Sequence, residues 1–212
     1  LSWAGINWDS LVKQSFRLSH YDQALQKLLD KKRAYPCFET AEELSLKRKK
    51  QLSSGKPPIY DRSALNLSDS DIADLKAKGR SPHYRFLLDH KDVNWNDLVK
   101  GTSQYNMSNL SDPVIIREDG RVIYTLASVV DDIDFEVTDI LRGEDHMTNS
   151  AAQIQLFEAL ESSPPNLGHL SLLTDISGAG LSKRMGSISL RDLKDEGFQP
   201  MAISSLLSKV GT

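Results

Sequence analysis

The stretch that most restricts what this chain can fold into is residues 122–146, VIYTLASVVDDIDFEVTDILRGEDH. It holds an apolar run, an acidic corner at Asp131, Asp132 and Asp134, a second apolar run, and then Arg142-Gly143-Glu144-Asp145-His146. Apolar runs bounded by turn residues predict buried strands, here one from Val122 and one over residues 137–141. The polar cluster follows where the second strand ends. Open α/β sheets bind ligands beyond the carboxyl ends of their strands. The active site is therefore expected around Tyr124, Arg142 and Asp145.

The next segment supports that placement. Ser150-Ala151-Ala152-Gln153 has the pattern of a capping box and predicts a helix carrying Ile154, Phe157 and Leu160 inward. Pro164-Pro165 stops it, and residues 169–173 read as the next strand. A strand–helix–strand order predicts parallel strands with a right-handed crossover. Both strand ends then face one sheet edge. One carries RGEDH, the other residues 177–184, SGAGLSKR. Arg142 suits bidentate pairing with a carboxylate. Gly143 permits positive φ or close backbone approach. Asp145 can accept from a ribose or base, or cap the helix that follows. His146 reads more simply as a helix-start residue, and Glu144 as a brace for the loop. Lys183 and Arg184, beside Ser182, can neutralise phosphate charge in a transition state. The Gly-x-x-x-x-Gly-Lys spacing of a P-loop is absent. Together the two loops suggest a site for a carboxylate and a phosphate. The three corner aspartates are expected to shape the turn rather than bind a metal.

Upstream, Asp9 or Ser10 is expected to cap a helix that buries Tyr21, Ala24, Leu25, Leu28 and Leu29 and ends near Lys31-Lys32-Arg33. A short strand is expected over 34–38. Thr40 with Glu43 forms a capping box for a helix bearing Lys47, Arg48, Lys49 and Lys50. Such a run is either a solvated face or a phosphate-contacting patch. Ser68 caps a further short helix. Strands are expected over 84–88, 95–99, 104–107 and 114–117. The turn Glu118-Asp119-Gly120 then predicts a hairpin. Residues 36–121 thus read as an α+β insertion.

With 212 residues the chain can bury a sizeable core without staples. A net charge of −3 leaves any nucleic-acid site to a local basic patch. One cysteine excludes an internal disulfide and a multi-cysteine metal site, which suits a reducing compartment. No apolar run is long enough to span a bilayer. The chain opens at Leu1 in mid-pattern and closes on Val210-Gly211-Thr212, so both ends are expected to be cut from something longer.

Residues 124–132, YTLASVVDD, then RGEDH with Asn149, then Leu181-Ser182-Lys183-Arg184, resemble the bacterial glutamyl-tRNA synthetases, with a flavour close to the alphaproteobacterial members. Gln14-Ser15-Phe16-Arg17, Ala34-Tyr35-Pro36-Cys37, Pro58-Ile59-Tyr60-Asp61 and Asp112-Pro113-Val114 extend the resemblance along nearly the whole chain. It implies an α/β class I synthetase with a split Rossmann fold. Residues 1–35 would end its first half, 36–121 would be an inserted acceptor-arm-binding domain, 122–184 the second half, and 185–212 the start of a helical stem-contact domain. It further implies ATP-dependent activation of glutamate and transfer to tRNA(Glu), and leaves open whether tRNA(Gln) is an acceptor as well. Tyr124, Ser128 and Arg142 would hold glutamate, Arg142 on its side-chain carboxylate. Asp145, His146 and Lys183 would lie at the ATP with its Mg²⁺. Gly180, Leu181, Ser182, Lys183 and Arg184 would form the KMSKS-type loop, the last three acting in catalysis. Lys47, Arg48 and Arg62 become candidates for tRNA contact. A cytoplasmic monomer is the expectation.

The sequence also departs from the family pattern. The HIGH-type motif would precede Leu1 and an anticodon domain would follow Thr212. Gly180 replaces a usual Lys, and Ser128 a common Asn. Some relatives bind zinc through several cysteines. With Cys37 alone, no zinc and no other metal in the protein is expected. The competing readings are a shortened relative that glutamylates a modified tRNA base, a glutaminyl-tRNA synthetase, and a non-catalytic RNA-binding module.

Overall fold

The structure is a computed structural model describing residues 2–174 and 189–210. Its first long element is α1 (Leu18–Asp30), which buries Tyr21, Ala24 and Leu28 at helical spacing. The helix expected to open at Asp9 or Ser10 starts eight or more residues later. Residues 14–16 form only a single 3-10 turn, and neither Asp9 nor Ser10 caps a helix. Arg17 is the N-cap residue instead, and its side chain is committed elsewhere, as described below.

Strand β1 (Ala34–Cys37) pairs antiparallel with β2 (His83–Phe86), which pairs antiparallel with β5 (Val114–Ile116). Between β1 and β2 run α2 (Ala41–Ser53) and α3 (Asp69–Ala77). Thr40 and Glu43 form the expected reciprocal capping box, and Ser68, expected as a cap, forms a second box with Asp71. Strands β3 (Asp92–Asp97) and β4 (Gly101–Asn106) form a hairpin paired Asp92↔Asn106 to Asp97↔Gly101. The Asp119-Gly120 turn forms with Gly120 at φ +80°, but the returning strand amounts to one bridge, Ile116↔Val122.

The chain then becomes helical where a strand was expected. Residues 124–134 form α4 (Tyr124–Asp134), with Leu126, Ala127, Val129 and Val130 buried. A short apolar run has the same composition in a buried strand as in a buried helix, so periodicity alone does not separate them. The interior here demands two adjacent pairs of apolar groups one turn apart. That leaves Tyr124 and Ser128, four residues apart, on the other side.

The acidic residues of α4 explain how it is fixed. Asp131 accepts from Arg17 Nε at 2.7 Å, from Tyr21 Oη at 2.9 Å and from Gln14 Nε2 at 2.8 Å. Asp134 pairs with the other end of the Arg17 guanidinium, whose carbon lies 4.5 Å from the Phe135 ring centroid. The corner aspartates thus clamp α4 to α1.

Strands β6 (Asp139–Gly143) and β7 (Asn166–Leu170) are parallel and joined through α5 (Met147–Ala159), the expected strand–helix–strand unit. Both strands are offset from the expected ranges, β6 two residues later and β7 three residues earlier. Helix α5 starts at Met147, so Ser150 is an interior residue and forms no capping box. Ile154, Phe157 and Leu160 are buried as expected. Helices α6 (Leu190–Asp195) and α7 (Pro200–Val210) close the described part. One apolar core joins Tyr21 and Leu28 of α1, Phe86, Val93, Ile115, Leu126, Val129, Leu156, Phe157 and Leu167, so α4 and α5 share an interior with both the hairpin and the three-stranded sheet.

Candidate active site

Arg142 is the fourth residue of β6 and lies beside His169 of β7 in the register. The polar cluster therefore starts inside the strand, and only Glu144–His146 leaves it, as one 3-10 turn leading into α5. The Arg142 guanidinium is half-buried between α4 and α5. Nη1 donates to Gln153 Oε1 at 2.8 Å, and Nη2 to Ser150 Oγ at 2.5 Å. Nε is buried with no partner. Both acceptors are neutral, and among the described residues no carboxylate lies within ion-pair distance of Arg142.

Gln153 passes the connection on. Its Nε2 donates to Ser128 Oγ at 2.7 Å, and that hydroxyl donates to the Tyr124 carbonyl at 2.8 Å. Tyr124 is about half exposed, with its ring edge-on to His146 at 5.9 Å between centroids. His146 Nδ1 is 3.1 Å from Asn149 Nδ2. The structure thus brings together Tyr124, Ser128, Arg142 and His146 on one open face. Asp145 is exposed beside Gly143. Glu144 braces the turn as expected: it accepts from Lys100 Nζ at 2.6 Å and from the Leu172 amide at 3.5 Å. Residues 180–184, with Ser182, Lys183 and Arg184, lie outside the described residues.

Gly143 has φ −69°, so its role is close approach rather than positive φ. A Cβ there would come within 2.5 Å of Asp145 Oδ1 and 2.9 Å of a Leu172 methyl. Gly143→Ala is expected to swing the Asp145 carboxylate and the Leu172 methyl aside, both ends of rotatable side chains. The expected loss is ~1 kcal/mol or less, read as a slightly lower urea midpoint. A much larger loss would show that the backbone of the turn must move.

Asp132 is the titratable group that the site perturbs most usefully. Burial, and then the neighbouring Asp131 charge, raise its pKa from 3.8 to about 6, against a smaller opposing pull from Arg142. The folded value lies above the unfolded one. The stability this carboxyl contributes is therefore present below about pH 4 and lost as pH rises through about 6. Asp132→Asn should stabilise the fold at pH 8 by ~1–2 kcal/mol, allowing for partial exposure, with the gain vanishing near pH 4. Urea midpoints at the two pH values test this.

The basic run of α2 divides. Lys47 is held by Glu39, Asp61 and Ser63, whereas Arg48, Lys49 and Lys50 are exposed. Lys47, Arg48, Lys50, Lys56 and Arg85 line a cavity of about 780 Å³ beside Tyr60. Arg62 is turned inward, donating to both Asp112 oxygens at 2.9 and 2.8 Å and to the Leu88 carbonyl at 2.6 Å. Cys37, Glu39 and His83 place donor atoms within 4.8 Å of one another. The Lys47 ammonium, 3.2 Å from Glu39, already supplies a cation there.

A family model described as class I tRNA synthetases (E and Q), catalytic domain, matches residues 1–212. The chain belongs to that family. It is 53% identical to a glutamate–tRNA ligase of Azospirillum brasilense and 52% identical to one from Hyphomonas neptunium. Each match covers 100% of this chain and 48% of the relative, so the chain spans about half the length of the curated relatives it matches. A crystal structure of a glutamate tRNA ligase from Elizabethkingia meningosepticum, in complex with its amino acid, superposes with a TM-score of 0.78. The match has 27% identity and covers 93% of this chain and 42% of that one. The α/β class I synthetase fold, with a parallel pair of strands at the site, is thereby established.

The residues that sequence reasoning missed are Asp97, Ser150, Gln153 and His169, all buried and all polar. A signal was present. Ser150 and Gln153 precede Ile154 and Phe157 on the inward side of α5, and inward polar groups require partners.

Proposed function

We propose that this chain is the central catalytic region of a glutamate–tRNA ligase, inactive alone, which joins glutamate to ATP as an adenylate and then to the 3′ end of tRNA(Glu). The observation that carries the reading is the Arg142 guanidinium, half-buried, hydrogen-bonded to two neutral acceptors and in no ion pair among the described residues. A cation in that setting suits a carboxylate ligand and gives an amide no equivalent partner. Glutamate would place its side-chain carboxylate on Arg142, with Tyr124 and Ser128 beside it. Asp145 and His146 face the adenosine. Ser182, Lys183 and Arg184, with Gly180 and Leu181 in the same sequence motif, neutralise the triphosphate while the glutamate α-carboxylate attacks the α-phosphorus and pyrophosphate leaves with Mg²⁺. Catalysis of this kind is mainly positioning and charge stabilisation.

The division at residues 35, 121 and 184 is proposed on the same basis, with 36–121 holding the acceptor arm. Arg48 and Lys47 on α2 are the candidates for phosphate contact. Arg62 serves the RNA indirectly, through the fold. No described helix is long and apolar enough to cross a membrane. The parent is proposed to work in the cytoplasm as a monomer. It is also proposed to hold no zinc, since Lys47 and Arg85 crowd the Cys37 cluster with positive charge. Metal analysis of the purified parent should find well under one equivalent.

The deciding experiment is charging by the full-length parent, with glutamate and glutamine supplied separately and tRNA(Glu) and tRNA(Gln) as acceptors. Glutamate on a tRNA 3′ end, lost in Lys183→Ala while tRNA binding persists, is the expected result. Label found on an internal base, or no charging by a folded parent, would overturn it.

A further inference from the structure

Behind Arg142 lies a chain of buried polar groups that the proposed chemistry does not use. Ser150 and His169 are both 0% exposed and Asp97 is 5% exposed. Arg142 Nη2 donates to Ser150 Oγ at 2.5 Å. Ser150 Oγ is 2.6 Å from His169 Nε2, and His169 Nδ1 meets Asp97 Oδ2. The carboxylate places an imidazole proton on Nδ1. The Ser150 hydroxyl hydrogen has two acceptors in reach, Nε2 at 2.6 Å and the His146 carbonyl at 3.1 Å, and the shorter contact takes it. Every bond then runs in one direction: guanidinium to hydroxyl, hydroxyl to imidazole, imidazole to carboxylate. A cation stands at the open end and an anion at the buried end. Such a chain polarises in one sense throughout.

The anion is anchored with unusual completeness. Asp97 Oδ1 accepts from the amides of Val99, Lys100 and His169 at 3.0, 3.1 and 3.0 Å. Oδ2 also accepts from Trp95 Nε1 at 3.1 Å. Burial works against its charge, yet the His169 imidazole, and then the His169, Lys100 and Val99 amides, hold it well below the usual carboxylate range. Asp97 belongs to the β3–β4 hairpin, outside the strand–helix–strand unit that carries Arg142. The Leu98 amide donates to the Leu167 carbonyl at 2.8 Å, fastening the hairpin tip to β7.

We propose that Asp97, His169 and Ser150 are positioning residues that aim and hold Arg142 for the substrate carboxylate, so that the β3–β4 hairpin sets amino-acid affinity without touching the amino acid. This rests on the reading of Arg142 as the carboxylate ligand. The three do not meet substrate. They fix where the cation stands, because a guanidinium tied at Nη2 and Nη1 has little freedom left. With the relay cut, Arg142 stays charged but wanders, and glutamate loses its fixed partner.

The test uses the full-length parent and measures KM for glutamate, KM for ATP and kcat in tRNA charging. Ser150→Ala, the mildest cut, and Asp97→Asn should each raise KM for glutamate roughly tenfold, with KM for ATP and kcat within about twofold. Ser150→Ala keeps the packing volume nearly unchanged, so it reports even if Asp97→Asn fails to fold. A merely structural role would lower active-enzyme concentration, hence kcat, and leave both KM values alone. That result would overturn the proposal. Arg142→Lys separates the two levels. If it raises KM for glutamate while the relay variants do not, the relay is wrong and the Arg142 assignment stands. If Arg142→Lys leaves KM for glutamate unchanged, the assignment itself fails, and the relay with it.

Discussion

Arg142→Gln in the full-length parent should lower kcat/KM for glutamate by roughly 10²–10⁴-fold, while any residual use of glutamine falls far less. The reasoning starts from what surrounds the guanidinium. Its Nη1 and Nη2 already have the amide of Gln153 and the hydroxyl of Ser150, so the ground-state structure survives its loss with modest repacking. Neither acceptor carries charge, so removing Arg142 removes a cation fixed against α5 beside Tyr124 and Ser128. A glutamate carboxylate entering the variant would give up water without gaining an ionic partner. Steady-state charging with each amino acid provides the check. If glutamate and glutamine fall by the same factor, Arg142 is holding the fold rather than reading the carboxylate. A selective fall for glutamate assigns the charge contact.

How much of this was legible in the sequence depends on what each residue answers to. Capping boxes are local, and Thr40 with Glu43 and Ser68 with Asp71 form as their spacing demands. The parallel pairing of β6 with β7 was also readable, because strand–helix–strand order leaves one handed solution. Helix α4 was not. Its apolar run fits either a strand or a helix, and tertiary contacts decide: the interior takes Leu126, Ala127, Val129 and Val130, and Arg17, more than 100 positions earlier, grips Asp131 and Asp134 one turn apart. Ser150 misled for a related reason. Its pattern with Gln153 imitates a cap, but Met147 already follows a 3-10 turn and the helix is under way. The serine is then free to serve Arg142. Tyr124, Ser128 and Arg142, which the structure brings together, could be named from the sequence as candidates. Asp97 and His169 could not, because only tertiary packing brings a hairpin end against β7.

The second large effect concerns stability and falls at Asp112. This carboxylate has a fully buried side chain and collects four donor groups. Arg62 Nε and Nη2 reach its two oxygens at 2.9 and 2.8 Å, Tyr35 Oη donates at 2.6 Å, and the Leu88 amide donates at 3.0 Å. Its own carbonyl accepts from Arg85 at 2.7 Å. Burial, then the bond to Asp112, push the Tyr35 hydroxyl far above its usual range, which keeps it a donor at any working pH. Asp112→Asn swaps one acceptor for a donor facing donors and leaves the Arg62 charge uncompensated. A cost of ~3–5 kcal/mol follows, or roughly 6–20 °C in melting temperature for a unit this size. Removing the stranded cation as well, in Asp112→Asn with Arg62→Gln, should recover part of the loss, since an unpaired buried charge costs more than an absent pair. Melting curves of the two variants against the parent give the answer. A single variant melting within 2 °C of the parent would show that water reaches Arg62 and that the pair contributes little. The expected result carries a functional corollary. Arg62 variants would weaken tRNA binding by freeing the chain at Arg62 from Asp112 and Leu88, rather than by deleting a phosphate contact. Their binding defect should then be the same at low and high salt, whereas Arg48 variants should lose binding mainly at low salt.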